Sequence, residues 1–145
     1  MPYKFQNLLV LRISPLIVLV LCFLSACTGN SSRSGKDITN QSNYQKISAE
    51  TAYQMMQKSS GYIILDVRTD EEFRESHIAG AILIPNTEIA KQAVSELPDK
   101  NSMIFVYCRS GVRSASAAKT LVRQGYTQVY DIGGIINWPY ETVRN

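Results

Sequence analysis

The 145-residue sequence is poor in the residues that most often carry metals and cross-links: it has one histidine and three cysteines. A zinc site takes three or four nitrogen, sulfur or carboxylate ligands. His77 and the single thiol of the C-terminal hundred residues, Cys108, cannot assemble the usual set, so neither a metal nor an organic cofactor is expected. The other two thiols, Cys22 and Cys27, lie in and just beyond an apolar stretch near the N-terminus, which leaves Cys108 without an intramolecular disulfide partner. A basic tract with interleaved aromatics is also missing. The formal net charge is +3, and Lys4 and Arg12 of the N-terminal stretch supply two of those charges, so the remainder is close to neutral and nucleic acid is not an expected partner. Nor is there an uninterrupted apolar run of the roughly 20 residues that a spanning helix needs. Residues 8–24 are apolar, but Arg12 breaks them and small residues follow.

That stretch reads as a signal peptide. Its end, Leu24-Ser25-Ala26-Cys27, resembles the lipobox of bacterial lipoproteins. The resemblance implies a signal peptide over residues 1–26, a lipid on Cys27 as first mature residue, export, and anchoring in the bacterial cell envelope. Each buried methylene contributes about 0.8 kcal/mol, so several acyl chains hold a small domain on a bilayer. Residues 28–45 are mostly Ser, Asn, Thr, Gln and Gly with almost nothing to bury, so residues 27–45 are expected to form the lipidated N-terminus and a flexible polar linker. The rest, residues 46–145, has the size of one small domain.

Within it, short apolar runs alternate with helical periodicity, the pattern of a single α/β domain with a central, mainly parallel sheet covered by helices on both faces. Strands are expected at residues 62–67, 81–84, 103–107 and 128–131, with a short edge strand near 46–48. Ser48 can cap a helix carrying Ala52, Met55 and Met56 on one side. Thr69 followed by Glu72 makes a capping-box pattern opening a short acidic helix. Ile89, Ala93, Val94 and Leu97 have helical spacing, and Pro98 stands where that helix should stop. Ala115, Ala118, Leu121 and Val122 mark another helix, ending near Gly125.

The segment Ile104-Phe105-Val106-Tyr107-Cys108-Arg109-Ser110-Gly111-Val112-Arg113-Ser114 concentrates the chemistry. A buried strand delivers a cysteine into a loop that opens a helix. Ligands of open α/β sheets bind at the carboxyl ends of strands, and the free amides of a helix N-terminus attract anions. A loop containing Gly111 can curl its N–H groups inward as an anion nest, and Arg109 and Arg113 add positive charge. Such surroundings lower a cysteine pKa and favour the thiolate. The same amides suit a terminal persulfide, and guanidinium groups suit a sulfur oxyanion. Cys108 is therefore the candidate nucleophile, and Arg109, Ser110, Gly111, Val112 and Arg113 the candidate substrate cradle.

Residues 108–114 resemble the active-site loop of the rhodanese family. Asp66-Val67-Arg68, Glu72-Phe73 and Glu75-Ser76-His77-Ile78-Ala79-Gly80-Ala81 resemble the motif upstream of that loop, and Gly133-Gly134-Ile135-Ile136-Asn137-Trp138 resembles the closing motif. The resemblance covers nearly all of residues 46–141. It implies a single rhodanese-like domain that moves a sulfane sulfur from a donor such as thiosulfate to a nucleophilic acceptor through a persulfide on Cys108. The expected partners are a small sulfur-donor anion, a thiol or cyanide acceptor, or a protein acceptor; a carrier that holds persulfide without turnover is the alternative. Rhodanese-like phosphatases place five residues between the cysteine and the arginine; here four separate Cys108 from Arg113, and the smaller ring suits one sulfur better than a phosphoryl group. The family often has Gly where this chain has Ser76, which puts a tight turn in question.

The remaining candidates divide between roles. Asp66 and Arg68 could line the mouth of the site or pair with each other to fix loops. Asp70, Glu71, Glu72 and Glu75 read as a solvated helix face, favoured at its start by the helix dipole. The resemblance gives His77 a structural place in its turn, and Trp138 reads as a packing residue under the C-terminal segment.

Overall fold

A computed structural model of the chain describes residues 43–144. The proposed leader, Cys27 and most of the proposed linker lie outside the described residues. The elements in chain order are β1 (Gln45–Lys46), α1 (Ala49–Lys58), β2 (Ile63–Asp66), α2 (Asp70–Glu75), β3 (His77–Ile78), β4 (Ile82–Leu83), α3 (Ile89–Glu96), β5 (Met103–Cys108), α4 (Val112–Arg123), β6 (Gln128–Gly134), a 3-10 turn (Ile135–Asn137) and β7 (Thr142–Val143). Five strands form one parallel sheet in the order β1-β6-β5-β2-β4, and β3 pairs with β7 in a separate antiparallel ribbon. A mainly parallel sheet with helices on its faces is the architecture expected from the alternating pattern.

Parallel strands buried on both faces read as continuous apolar runs, and side chains still alternate between the faces. In β5, Ile104, Val106 and Cys108 enter one core with Leu65, Val67, Ala93, Ala118 and Leu121, the face covered by α3 and α4. Phe105 and Tyr107 enter the other, with Ala52, Met56, Ile64, Ile78 and Ile132, where α1 and Trp138 pack. Cys108 thus faces the helix whose N-terminus opens beside it. The period of two decides this: shifting β5 by one residue would turn Cys108 to the α1 side.

Local signals set most boundaries. Ser48 Oγ accepts the Thr51 N–H at 3.1 Å and starts α1. Thr69 and Glu72 form the full capping box of α2. Pro98 follows the end of α3, where a continuing helix would lose an amide and clash.

Other expectations need correction. Val94 is 55% exposed, and the inward face of α3 is carried by Ile89, Ala93 and the C-cap Leu97. In α4 Ala118 and Leu121 are buried and Val122 packs against the same core as expected, but Ser114 and Ala117 take the place of Ala115 in the buried stripe. The folded domain also begins before residue 46: Gln45 pairs with Tyr130 in β6, and Tyr44 packs on the α3/α4 core. Ser76 is fully extended at φ −173° and caps α2, while the positive φ of this turn falls on Gly80 at 77°. A serine at position 76 therefore costs no backbone strain.

Candidate active site

Strand β5 ends on Cys108, and the chain turns through Arg109, Ser110 and Gly111 into α4. Gly111 is the N-cap at φ 102°, in the left-handed region that an L side chain rarely adopts. This turn folds the amides back over the sulfur. The Gly111 N–H donates to Cys108 Sγ at 3.1 Å. Burial opposes the thiolate, but the backbone N–H groups of Ser114, Gly111 and Ser110 outweigh it, so the Cys108 pKa is lowered. Cys108 is 1% exposed, so the sulfur is the floor of a cup rather than a surface group.

The cup leans on β6. A bulge between Val106 and Tyr107 shifts the register so that Cys108 lies opposite Gly134. A Cβ at Gly134 would stand 2.4 Å from the Arg109 carbonyl oxygen and 2.6 Å from Ser110 Cα, both backbone atoms that cannot swing aside. Asp131 Oδ1 accepts the Gly133 N–H at 3.0 Å and shapes the bulged strand end. Ser114, fully buried, shares its hydroxyl proton between the carbonyls of Gly111 at 3.0 Å and Gly133 at 3.3 Å and ties loop, helix and β6 together. Ser114, Gly133 and Gly134 lie in segments that resemble the family motifs, yet only the fold makes them part of the site. A pair of glycines inside a strand was the available signal, because it marks close backbone approach.

The expected cradle divides. The Ser110 and Gly111 amides serve the sulfur. Arg109 and Ser110 are exposed, and Val112 is 77% exposed. Arg113 is bound elsewhere: its Nη1 and Nη2 donate to Glu72 Oε2 and Oε1 at 2.7 and 2.8 Å. Glu72 is consequently no part of a solvated face. Hydrogen bonds from Arg113 come first, against some burial, and with the Thr69 amide they hold its carboxyl pKa at about 2. The pKa of Arg113 is pushed up, foremost by Glu72 and further by the charge of Cys108. Arg113 stands in the first turn of α4, which opens directly from the Cys108 loop.

Asp66 and Arg68 are not brought to the thiol. Asp66 pairs in register with Tyr107 and shares its sheet face, opposite Cys108. Arg68 Nε and Nη2 grip both Asp66 oxygens at 2.6–2.9 Å, Nη2 also donates to the Ser76 carbonyl at 2.6 Å, and the guanidinium lies 5.5 Å from the Tyr107 ring centre. Burial, reinforced by the Asp66 charge, pushes the Tyr107 pKa far up, so its phenol remains protonated and accepts the Ile78 N–H at 3.1 Å. His77 is buried, with Nδ1 on the Phe73 carbonyl at 2.9 Å and its ring stacked on Phe73 at 3.9 Å. Trp138 packs edge-on against Tyr53 and Tyr140.

A cavity of about 440 Å³ flanks the loop, lined by Lys46, Ser48, Glu50, Ser110, Gly111 and Asn137 among others, with Cys108 not in its wall.

Comparison with known proteins places this geometry. Residues 48–139 match the family model described as the rhodanese-like domain. Thiosulfate sulfurtransferase PspE of Escherichia coli (strain K12) is 39% identical over 71 residues, covering 49% of this chain and 68% of that protein. Thiosulfate sulfurtransferase GlpE of Coxiella burnetii (strain RSA 331 / Henzerling II) is 38% identical over 96 residues, covering 66% and 87%. Among solved structures, a rhodanese with anions from E. coli superposes with a TM-score of 0.55 at 34% identity over 58% of this chain and 99% of that one. A rhodanese-like domain protein from Staphylococcus aureus gives 0.60 at 30% identity over 70% and 99%. With one parallel sheet, a thiol cupped by amides at the end of its central strand, and relatives of this coverage, the chain belongs to the rhodanese-like family.

Proposed function

We propose that the protein is a thiosulfate-type sulfurtransferase that carries sulfane sulfur on Cys108. The observation that carries this reading is the ring of Ser110, Gly111 and Ser114 amides that lowers the Cys108 pKa against the cost of its burial. The thiolate attacks the outer sulfur of thiosulfate; a new S–S bond forms, the donor's S–S bond breaks, and sulfite leaves with the electron pair. Cyanide or a thiolate then attacks the terminal sulfur, takes it, and returns Cys108 as thiolate. Splitting one transfer into two displacements lowers each barrier. The amides that hold the thiolate also face the persulfide anion, so one cup serves both halves. Arg109 and Arg113 contribute attraction for the donor anion.

Incubation with thiosulfate should add the mass of one sulfur to the Cys108 peptide, and cyanide should remove it. Cys108→Ser should lose the adduct while staying folded. A protein that takes up sulfur but shows no thiosulfate:cyanide turnover is a carrier. One that takes up none from several sulfane donors, with Cys108 reduced at the start, is no sulfurtransferase. We further propose that Cys27 bears the lipid anchor, so that the reaction proceeds at a bacterial envelope membrane.

A further inference from the structure

Arg113 has the long flexible stem of any arginine, and holding such a side chain in one place costs rotamer freedom. Its partner supplies the restraint. Glu72 takes both terminal nitrogens of the guanidinium in a two-point pair, the geometry that fixes orientation as well as distance. Glu72 is itself held, because its Oε2 also accepts the Thr69 N–H at 3.0 Å, while Thr69 Oγ1 accepts the Glu72 N–H at 3.3 Å. The short helix α2 that carries it is held at its start by this capping box and at its C-cap by Arg68, which donates to the Ser76 carbonyl while gripping Asp66 at the end of β2. A continuous set of polar contacts thus runs from the end of β2, through α2, to the Arg113 guanidinium in the first turn of α4, the helix that opens from the Cys108 loop.

We propose that Glu72 is a positioning residue for Cys108 chemistry: it fixes the Arg113 guanidinium at the rim of the loop so that its charge acts on the thiolate and on the incoming donor anion. The proposal rests on the sulfurtransferase reading for its kinetic part only. Two effects of Glu72 oppose each other. As a nearby negative charge it disfavours an anion on Cys108; as the anchor of Arg113 it favours one. The Coulomb effect alone predicts that neutralising Glu72 makes Cys108 more acidic, and the positioning effect predicts the reverse.

Glu72→Gln decides between them, since glutamine keeps an acceptor for the Thr69 N–H and spares the capping box. In the full-length protein, the rate of iodoacetamide labelling at the Cys108 peptide, followed against pH, gives the thiol pKa. For Glu72→Gln it should rise by about one unit, the KM for thiosulfate should rise several-fold, and Arg113→Ala should behave alike, with little added in the double variant. Arg113→Lys keeps the charge without the two-point pair and should share the defect. A Cys108 pKa that falls or stays put in Glu72→Gln, or wild-type values in Arg113→Lys, would overturn the proposal. If the wild-type protein takes up no sulfur, the functional reading fails, yet the labelling still decides the role of Glu72.

Discussion

The thiol at position 108 depends on atoms that are mostly backbone, so the residues that matter most around it are those that let the backbone come close. Gly134 is the sharpest case. In Gly134→Ala the new methyl meets the Arg109 carbonyl and Ser110 Cα well inside contact distance, and either β6 or the loop must move. Overpacking of this kind costs about 1–3 kcal/mol. Denaturant unfolding should report that loss, and iodoacetamide labelling should show a slower Cys108 at neutral pH as the amide ring opens. A variant as stable and as reactive as wild type would show that the loop yields freely. Arg68 is a different kind of residue-scale case, for its partner Asp66 is fully buried. Arg68→Ala strands a buried carboxylate and should cost about 3–5 kcal/mol, read by thermal or denaturant unfolding. Although this pair lies on the sheet face opposite Cys108, Arg68 also holds the C-cap of α2 through the Ser76 carbonyl, so labelling at Cys108 should stay slower than wild type even in a stabilised background.

At the scale of elements, α2 is six residues long and could not stand alone. Its capping box, the anchorage of its C-cap by Arg68 and its pair with Arg113 hold it, which makes its stability sensitive to acid. The Glu72 pKa falls from an ordinary 4.5 to about 2 on folding. A depressed carboxyl pKa contributes stability that is complete above the unfolded value and is lost as pH falls towards the folded one. The stability gap between wild type and Glu72→Gln should therefore be widest above about pH 5 and should close between pH 4.5 and 2. With the pair partly open to solvent, the gap is about 1 kcal/mol; denaturant midpoints across that range measure it. A gap that does not depend on pH would mean that the glutamine variant suffers for another reason. The ribbon of β3 and β7 is the second element to test. Thr142 and Val143 pair with Ile78 and His77, and the Ser76 hydroxyl donates to Thr142 Oγ1 at 3.0 Å. Removing residues 141–145 should speed amide exchange in the 76–80 turn and leave β5 protected.

For the whole molecule, the design is a sheet that ends its central strand on one buried sulfur, with every strand of that sheet parallel to its neighbours. The parallel arrangement brings the carboxyl ends of the strands to one edge, and Cys108 emerges there from the central strand. The proposed lipid would set where the edge operates. Cys27→Ser should shift the protein from membrane to soluble fractions and remove acyl mass from the N-terminal peptide. Unchanged fractionation of the two proteins would sink the anchor. The thiosulfate adduct should form equally on both, since the anchor and the cup are separate parts of the chain.

The sequence by itself determined the alternation of strands and helices, the caps at Ser48 and Thr69, the stop at Pro98 and the place of Cys108 at the end of a buried strand, because these depend on periodicity and on neighbours three or four residues away. It also carried the family resemblance, in segments whose order and spacing survive as a motif. Tertiary structure decided the rest. The pairing of Glu72 with Arg113, 41 residues apart, needs α2 and α4 brought side by side, and a charged helix position looks solvated until that happens. The separation of Asp66 and Arg68 from the thiol is set by which face each side chain takes once β2 and β5 are in register. The need for glycine at 134 arises only when β6, through its bulge, lies against the Cys108 loop; the glycine pair signals a close approach, but which distant segment comes close is set by the fold.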